Sequence, residues 1–298
     1  MANGDENPLP HHSPPQSPDR IGPAAADAPG PGVPEVTPGH FHTVLPEDLR
    51  VPWTWFDILL LALLAAGGAF LSGTVIALVL GFFHISPRQL QESPTALGLF
   101  AVLAQIVLDL GLMAYLAAQM RLRFSAPFWR TIGWRQLKTP GISRGIAFAG
   151  LVAGGFILAQ VVSFAEPLFP PKHALPLQTM LGDPRVAVLF VVMGVLLAPV
   201  VEETIFRGYL YPVIARTLGV GAGIGITGVL FGLLHAVQLW GGWWQITLLV
   251  FVGVVLTSVR AATRTVVASY VVHVSYNAFT VIAPLITPLR FHVFQHTR

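Results

Sequence analysis

From Trp53 onward this chain is a succession of apolar stretches, such as the one at 186–216 that contains AVLFVVMGVLLAPV, long enough to cross a bilayer, which takes roughly 20 helical residues. That one feature decides the fold class. With 54% apolar and only 10% charged residues, no ordinary soluble surface can be built, so the chain reads as an all-α, polytopic membrane bundle. Seven candidate spans cover about 53–83, 95–120, 144–165, 186–216, 219–239, 243–260 and 265–287. The first and fourth are long enough to be tilted or broken, the first near Gly67 and Gly68 and the fourth at Pro199.

Residues 1–50 differ from the rest of the chain. They are rich in Pro, Gly and Ala, have few bulky apolar groups, and are expected to form a disordered tail ahead of a transmembrane bundle at 51–290. The tail lacks the basic start, apolar core and small-residue cleavage site of a signal peptide. The densest basic cluster, Arg121, Arg123, Arg130, Arg135, Lys138 and Arg144, lies between the second and third spans and marks that loop as cytoplasmic. Seven spans then place the N-terminal tail, Arg216, Arg260 and Arg264 on the cytoplasmic side. Arg260 and Arg264 are expected to snorkel at the end of the sixth span. Trp53, Trp55, Trp240, Trp243 and Trp244 fall at span ends, where an aromatic belt would lie. The absence of cysteine removes disulfides, thiolate metal sites and cysteine nucleophiles. No basic, aromatic-interleaved patch points to nucleic acid. Arg far outnumbers Lys among abundant Ala, Gly and Val, a composition that suggests a bacterial cytoplasmic membrane.

Against this background the stretch E-E-T-I-F-R at Glu202 to Arg207 is expensive. Each charge at mid-depth costs at least about 2.5 to 3.5 kcal/mol on insertion scales. Glu203 and Arg207 are i and i+4 and can neutralise each other, which leaves Glu202 about 100 degrees round the helix without an explanation. Two later spans supply partners. F-G-L-L-H sets Phe231 and His235 one turn apart, and H-V-S-Y-N does the same for His273 and Asn277. Counted from the span ends at 1.5 Å per residue, Glu202 lies roughly 21 Å deep, His235 about 22 Å and His273 about 12 Å. With tilt all three can meet in one cavity. Two neutral imidazoles can hold a divalent metal, a carboxylate can take a proton from an attacking water, and an Asn amide can support an oxyanion.

These three motifs, in this order on successive spans, resemble the CPBP intramembrane metalloproteases, the family of CAAX prenyl endopeptidases and bacteriocin-processing enzymes also called Abi. The resemblance covers about residues 185–285. It implies an intramembrane endopeptidase in which Glu202 activates water, His235 and His273 bind a divalent metal (zinc by family) or orient the water, and Asn277 completes the site. Glu203 and Arg207 would support the site or the peptide. The implied partners are the lipid bilayer and a peptide or protein substrate, of prenylated CAAX type or otherwise membrane-associated. Other readings of the same residues stay open: a catalytically inert immunity or scaffold member, an ion- or proton-coupled transporter, and a haem bundle using the two histidines. Asp109, alone in the second span, reads as a structural polar residue or a cavity-facing one. The small residues from Gly221 to Gly228 read as a close-packing face.

Overall fold

The computed structural model describes residues 46–84, 93–171, 173 and 184–286, and all regular structure among them is helical. Residues 1–45, which hold most of the expected tail, lie outside the described residues, as do 287–298. Seven long elements carry the bundle: α1 Trp55–Phe82, α2 Thr95–Arg123, α3 Arg144–Leu168, α4 Val186–Leu218, α5 Val220–Leu234, α6 Trp243–Thr263 and α7 Val266–Ile286. Five of them, α1 to α4 and α6, are long and apolar enough to cross a membrane.

Local sequence explains where the helices begin. Thr54 and Asp57 form a capping box on α1, in which the Asp57 carboxylate accepts from the Thr54 backbone N–H at 2.8 Å. Ser93 and Ser143 cap α2 and α3 through their side-chain oxygens. The α1 helix is apolar all round, and none of its most hydrophobic window is buried against protein, as expected for a helix that faces lipid. It is continuous through Gly67 and Gly68, so the expected break there does not occur. Intrahelical hydrogen bonds satisfy the backbone in hydrocarbon, and isolated glycines do not interrupt them.

The fourth span departs from a straight helix, as anticipated, around Pro199. At 33 residues α4 is about 50 Å long, and two π-helical stretches, Met193–Leu197 and Glu203–Leu210, flank the short α-helical segment Ala198–Glu202. Proline lacks an N–H, and its ring clashes with the carbonyl four residues back. Widening the helix to the i→i+5 register relieves that clash locally. The chain then turns at Gly219, whose φ of 89° is the conformation that suits glycine, and enters α5.

α5 is shorter than the expected 219–239 span. It stops at Leu234, with His235 as its C-cap. It packs closely on α6: a Cβ on Gly228 would sit 2.8 Å from the Val254 nitrogen, and one on Gly232 would sit 2.7 Å from the Val250 nitrogen. The small-residue stretch therefore does bring two backbones together, although Gly221 and Gly225 face open space. α3 packs on α7, and Phe206, Leu210, Phe231, Val252, Leu256 and Tyr276 form the apolar core where α4 to α7 meet.

The helix ends that carry the basic residues gather with the segment just before α1. Residues 47–49 form a 3₁₀ turn in which Asp48 and Leu49 are buried, although composition alone assigns them to the tail. Asp48 accepts from Arg260 at 2.8 Å, Asp57 pairs with Arg123, and Arg216 donates to the carbonyls of Val51 and Trp53. Two expectations change here. Arg260 is buried and ion-paired rather than snorkelling. Trp53 is wholly buried, stacks on Tyr209 at 4.9 Å and donates its indole N–H to the Tyr209 carbonyl, so it does not belong to an aromatic belt. Trp55, Trp240 and Trp243 are exposed, while Trp244 donates to the Ala165 carbonyl.

Candidate functional site

The charged residues of α4 meet α5, α6 and α7 inside the bundle. Glu203 and Arg207 are fully buried and paired at 2.9 Å, one turn apart as their spacing requires. Arg207 is held further by donating to the Gly253 carbonyl at 3.0 Å and to the Thr257 hydroxyl at 3.3 Å, both on α6. Its guanidinium also lies 4.4 Å from the Phe231 ring centroid, a cation–π contact in a desolvated setting. A buried ion pair is tolerable only when its remaining hydrogen-bonding capacity is used, and α6 provides most of that capacity for the arginine.

The same carboxylate orients a histidine. His273 Nδ1 lies 3.0 Å from Glu203 Oε1, the oxygen that Arg207 also contacts. A carboxylate paired with a guanidinium only accepts, so Nδ1 carries a hydrogen, and in the neutral ring Nε2 keeps its lone pair. Nε2 lies 3.7 Å from Glu202 Oε2, too long for a direct hydrogen bond. Glu202 itself is 19% exposed, in contrast to its buried neighbour. The two adjacent glutamates therefore occupy different environments. Glu203 is locked into the protein, and Glu202 borders accessible space beside an imidazole.

His235 sits at the C-cap of α5, with Nδ1 3.0 Å from the Phe231 carbonyl. A carbonyl can only accept, so here too Nδ1 carries the hydrogen and Nε2 is left as an acceptor. The Phe231 ring touches both histidines, 5.2 Å from the His235 ring and 5.6 Å from that of His273. Asn277, one turn beyond His273 on α7, donates from Nδ2 to the Gly194 carbonyl at 2.7 Å. That carbonyl is in the π-helical stretch ahead of Pro199. Ala198 N–H bonds Met193 O in the i→i+5 register, and the next such bond would need an N–H from residue 199, which proline lacks. Asn277 supplies the missing donor and spends one of its two N–H bonds doing so.

The fold thus brings together Glu202, Glu203, Arg207 and His273, sets His235 against the same Phe231 ring that His273 touches, and ties Asn277 to α4. Sequence reasoning misses Gly194, Thr257 and Gly253. Two of the three contribute only a backbone carbonyl, for which side-chain patterns carry no signal. Trp134, from the loop between α2 and α3, also reaches in and donates to the Thr204 hydroxyl at 3.0 Å. Asp109 is hydrogen-bonded by Gln105, one turn away on its own helix, at 2.7 Å.

The chemistry of the donors suits a divalent cation in one respect, since both imidazoles fix Nδ1 and leave Nε2 free. The arrangement does not suit it in another. Among the described residues no three His, Asp or Glu side chains gather into a group that could hold a metal ion. The site as built is a carboxylate beside an oriented imidazole, a pairing suited to moving a proton.

Residues 184–279 match the model of the family described as type II CAAX prenyl endopeptidase Rce1-like. This region runs from α4 into α7 and holds the candidate residues that those four helices carry, so the chain is similar there to the CAAX prenyl endopeptidases. At family level the match supports a CAAX-type membrane protease. No curated protein and no solved structure matches the chain significantly.

Proposed function

We propose that the protein is an intramembrane endopeptidase that hydrolyses a peptide bond with a water activated by Glu202. The observation that carries this reading is the chain of contacts from Arg207 through Glu203 to His273 and on toward Glu202, which fixes one imidazole tautomer beside the more accessible carboxylate. In the proposed reaction Glu202 takes a proton from a water held between it and His273 Nε2. The hydroxyl oxygen bonds to the scissile carbonyl carbon, whose oxygen becomes an oxyanion. Collapse of that adduct breaks the C–N bond, and the proton on Glu202 passes to the departing amine nitrogen. His235 Nε2, an acceptor, helps orient the water. The second N–H of Asn277 is available to the oxyanion.

Glu203 and Arg207 act through His273 in this reading, without touching the substrate. The substrate class proposed is a membrane-associated peptide, prenylated CAAX termini being the first candidates because of the family matched. A divalent cation, the expectation carried over from the resemblance, would take His235 and His273 through Nε2 and would need Glu202 or water to complete its ligands. No step of the proposed reaction passes through it. The test is cleavage of an internally quenched prenylated peptide by purified protein, compared with Glu202→Ala and His235→Ala. Cleavage unaffected by either substitution would overturn the proposal.

A further inference from the structure

α1 and α2 do not close against each other along their whole length. Between them lies a groove of about 340 Å³, lined by Leu64, Gly68, Val75, Leu108, Gly111 and Tyr115 among others. Its walls are almost wholly apolar. Glycines leave room along it: Gly111 has nothing within 4 Å of the position a Cβ would take, and Gly68 meets only the flexible end of Leu108. At one end the apolar walls stop at a polar cluster. Tyr115 accepts from Gln119 at 3.2 Å, Gln119 donates also to Asp57 at 3.1 Å, and Tyr209 donates to Gln119 at 2.6 Å.

Beyond that cluster, within one turn of Gln119 along α2, stand Arg121 and Arg123. Arg123 pairs with Asp57 yet remains 50% exposed, while the Asp57 carboxylate is already shared with Thr54 and Gln119. The Asp57 charge is therefore divided, and the outer face of Arg123 is open. Arg121 is exposed on another side of the same helix end, and Arg130 and Lys138 are exposed on the loop that follows. Tyr115 and Arg123 are eight residues apart, about 12 Å of helix. That carries Arg123 past the apolar walls toward the end of the span, where headgroups lie.

An apolar groove open to the membrane, with cations at headgroup level at one end, matches an amphiphile with a long chain and an anionic head. We infer that the α1–α2 groove is a binding site for an anionic phospholipid, with an acyl chain along Gly68 and Gly111 and the phosphate at the cationic end of α2, against Arg123 and within the field of Arg121. Cations near a membrane surface attract anionic lipid by about fivefold each, so two give a preference of order tenfold or more over a zwitterionic lipid. The inference concerns a face of the bundle formed by α1 and α2 and does not rest on the proteolytic reading.

The test is lipid retention. Protein purified in detergent is exchanged into equal mixtures of phosphatidylglycerol and phosphatidylcholine, and the lipid still bound is measured by native mass spectrometry. Wild type is expected to retain phosphatidylglycerol in a ratio of about one lipid per chain, with roughly tenfold preference. Gly111→Phe, which fills the groove where a side chain meets open space, should lower retention of both lipids. Arg121→Gln with Arg123→Gln should abolish the preference, and Arg121→Gln alone should weaken it if the double variant unfolds. Equal retention of the two lipids by wild type, or retention unchanged by Gly111→Phe, overturns the inference.

Discussion

Asn277 on α7 donates to the carbonyl of Gly194 on α4, 83 residues away, at 2.7 Å. The acceptor is free because Pro199 cannot continue the helical register. The proline thereby ties one candidate site residue to the helix that carries Glu202. Pro199→Ala restores an N–H, gives Gly194 a helical partner and releases Asn277. Peptidase activity should then fall about tenfold or more while the helix itself gains stability, and Asn277→Ala should cost about 10²-fold, the usual loss for one oxyanion donor. Both are read from steady-state cleavage rates beside thermal unfolding in detergent. Full activity in Pro199→Ala would separate the proline from the site.

Glu203 is expected to matter first for stability. Removing one member of a fully buried ion pair leaves the other uncompensated and costs about 3–5 kcal/mol. Glu203→Ala strands Arg207 among apolar groups and frees His273 to rotate, so it should lower both the unfolding midpoint and the turnover. Replacing both residues, as in Glu203→Met with Arg207→Met, should recover much of the stability and none of the turnover. Chemical denaturation of the two variants checks the first half, and the cleavage assay checks the second.

The same logic applies to Asp48 and Arg260, a pair 212 residues apart that joins the segment before α1 to the end of α6. Asp48→Ala should destabilise by about 3 kcal/mol, while the double change to apolar residues should be close to neutral, because one Asp48 oxygen and the Arg260 Nε already have no partner. A thermal-shift series on the single and double variants decides this.

How much of the molecule is legible in the sequence depends on where each partner lies. The helical spans follow from hydrophobic runs that any chain crossing a bilayer must carry, and the i,i+4 pairing of Glu203 with Arg207 follows from the helix repeat. His273 is recognisable as part of the site from its motif, but its dependence on Glu203 is not, since that contact spans 70 residues. Trp53 reads as an interfacial tryptophan until Tyr209, 156 residues later, is seen to cover it. Arg260 reads as a snorkelling cation because its counter-charge lies in a stretch whose composition looks like tail. The π-helical register of α4 has a sequence cause in Pro199, but nothing in the neighbouring letters indicates where the extra residue is absorbed.

Close backbone approach gives a prediction free of electrostatics. A Cβ on Gly208 would come within 2.7 Å of the Ile132 carbonyl oxygen, and backbone cannot swing aside as a side chain can. Gly208→Ala should therefore cost about 1–3 kcal/mol as overpacking. Gly225→Ala, where nothing lies within 4 Å, should be neutral or slightly stabilising because alanine favours the helix. Parallel melting curves distinguish the two.

Chelation addresses the metal. Because the proposed reaction routes no step through a cation, it predicts that cleavage persists after exhaustive chelator treatment. Loss of activity that zinc restores would instead assign His235 and His273 as its ligands.

Glu202 as the base is the centre of the proposed reaction. The direct measurement is the cleavage rate of a quenched prenylated peptide by wild type and by Glu202→Ala, each reconstituted in the same bilayer and each checked for an unchanged unfolding midpoint. Turnover by wild type is expected, with a loss of about 10²- to 10⁴-fold in the variant, the usual range for a positioned general base. A folded Glu202→Ala protein that cleaves at the wild-type rate would contradict that role.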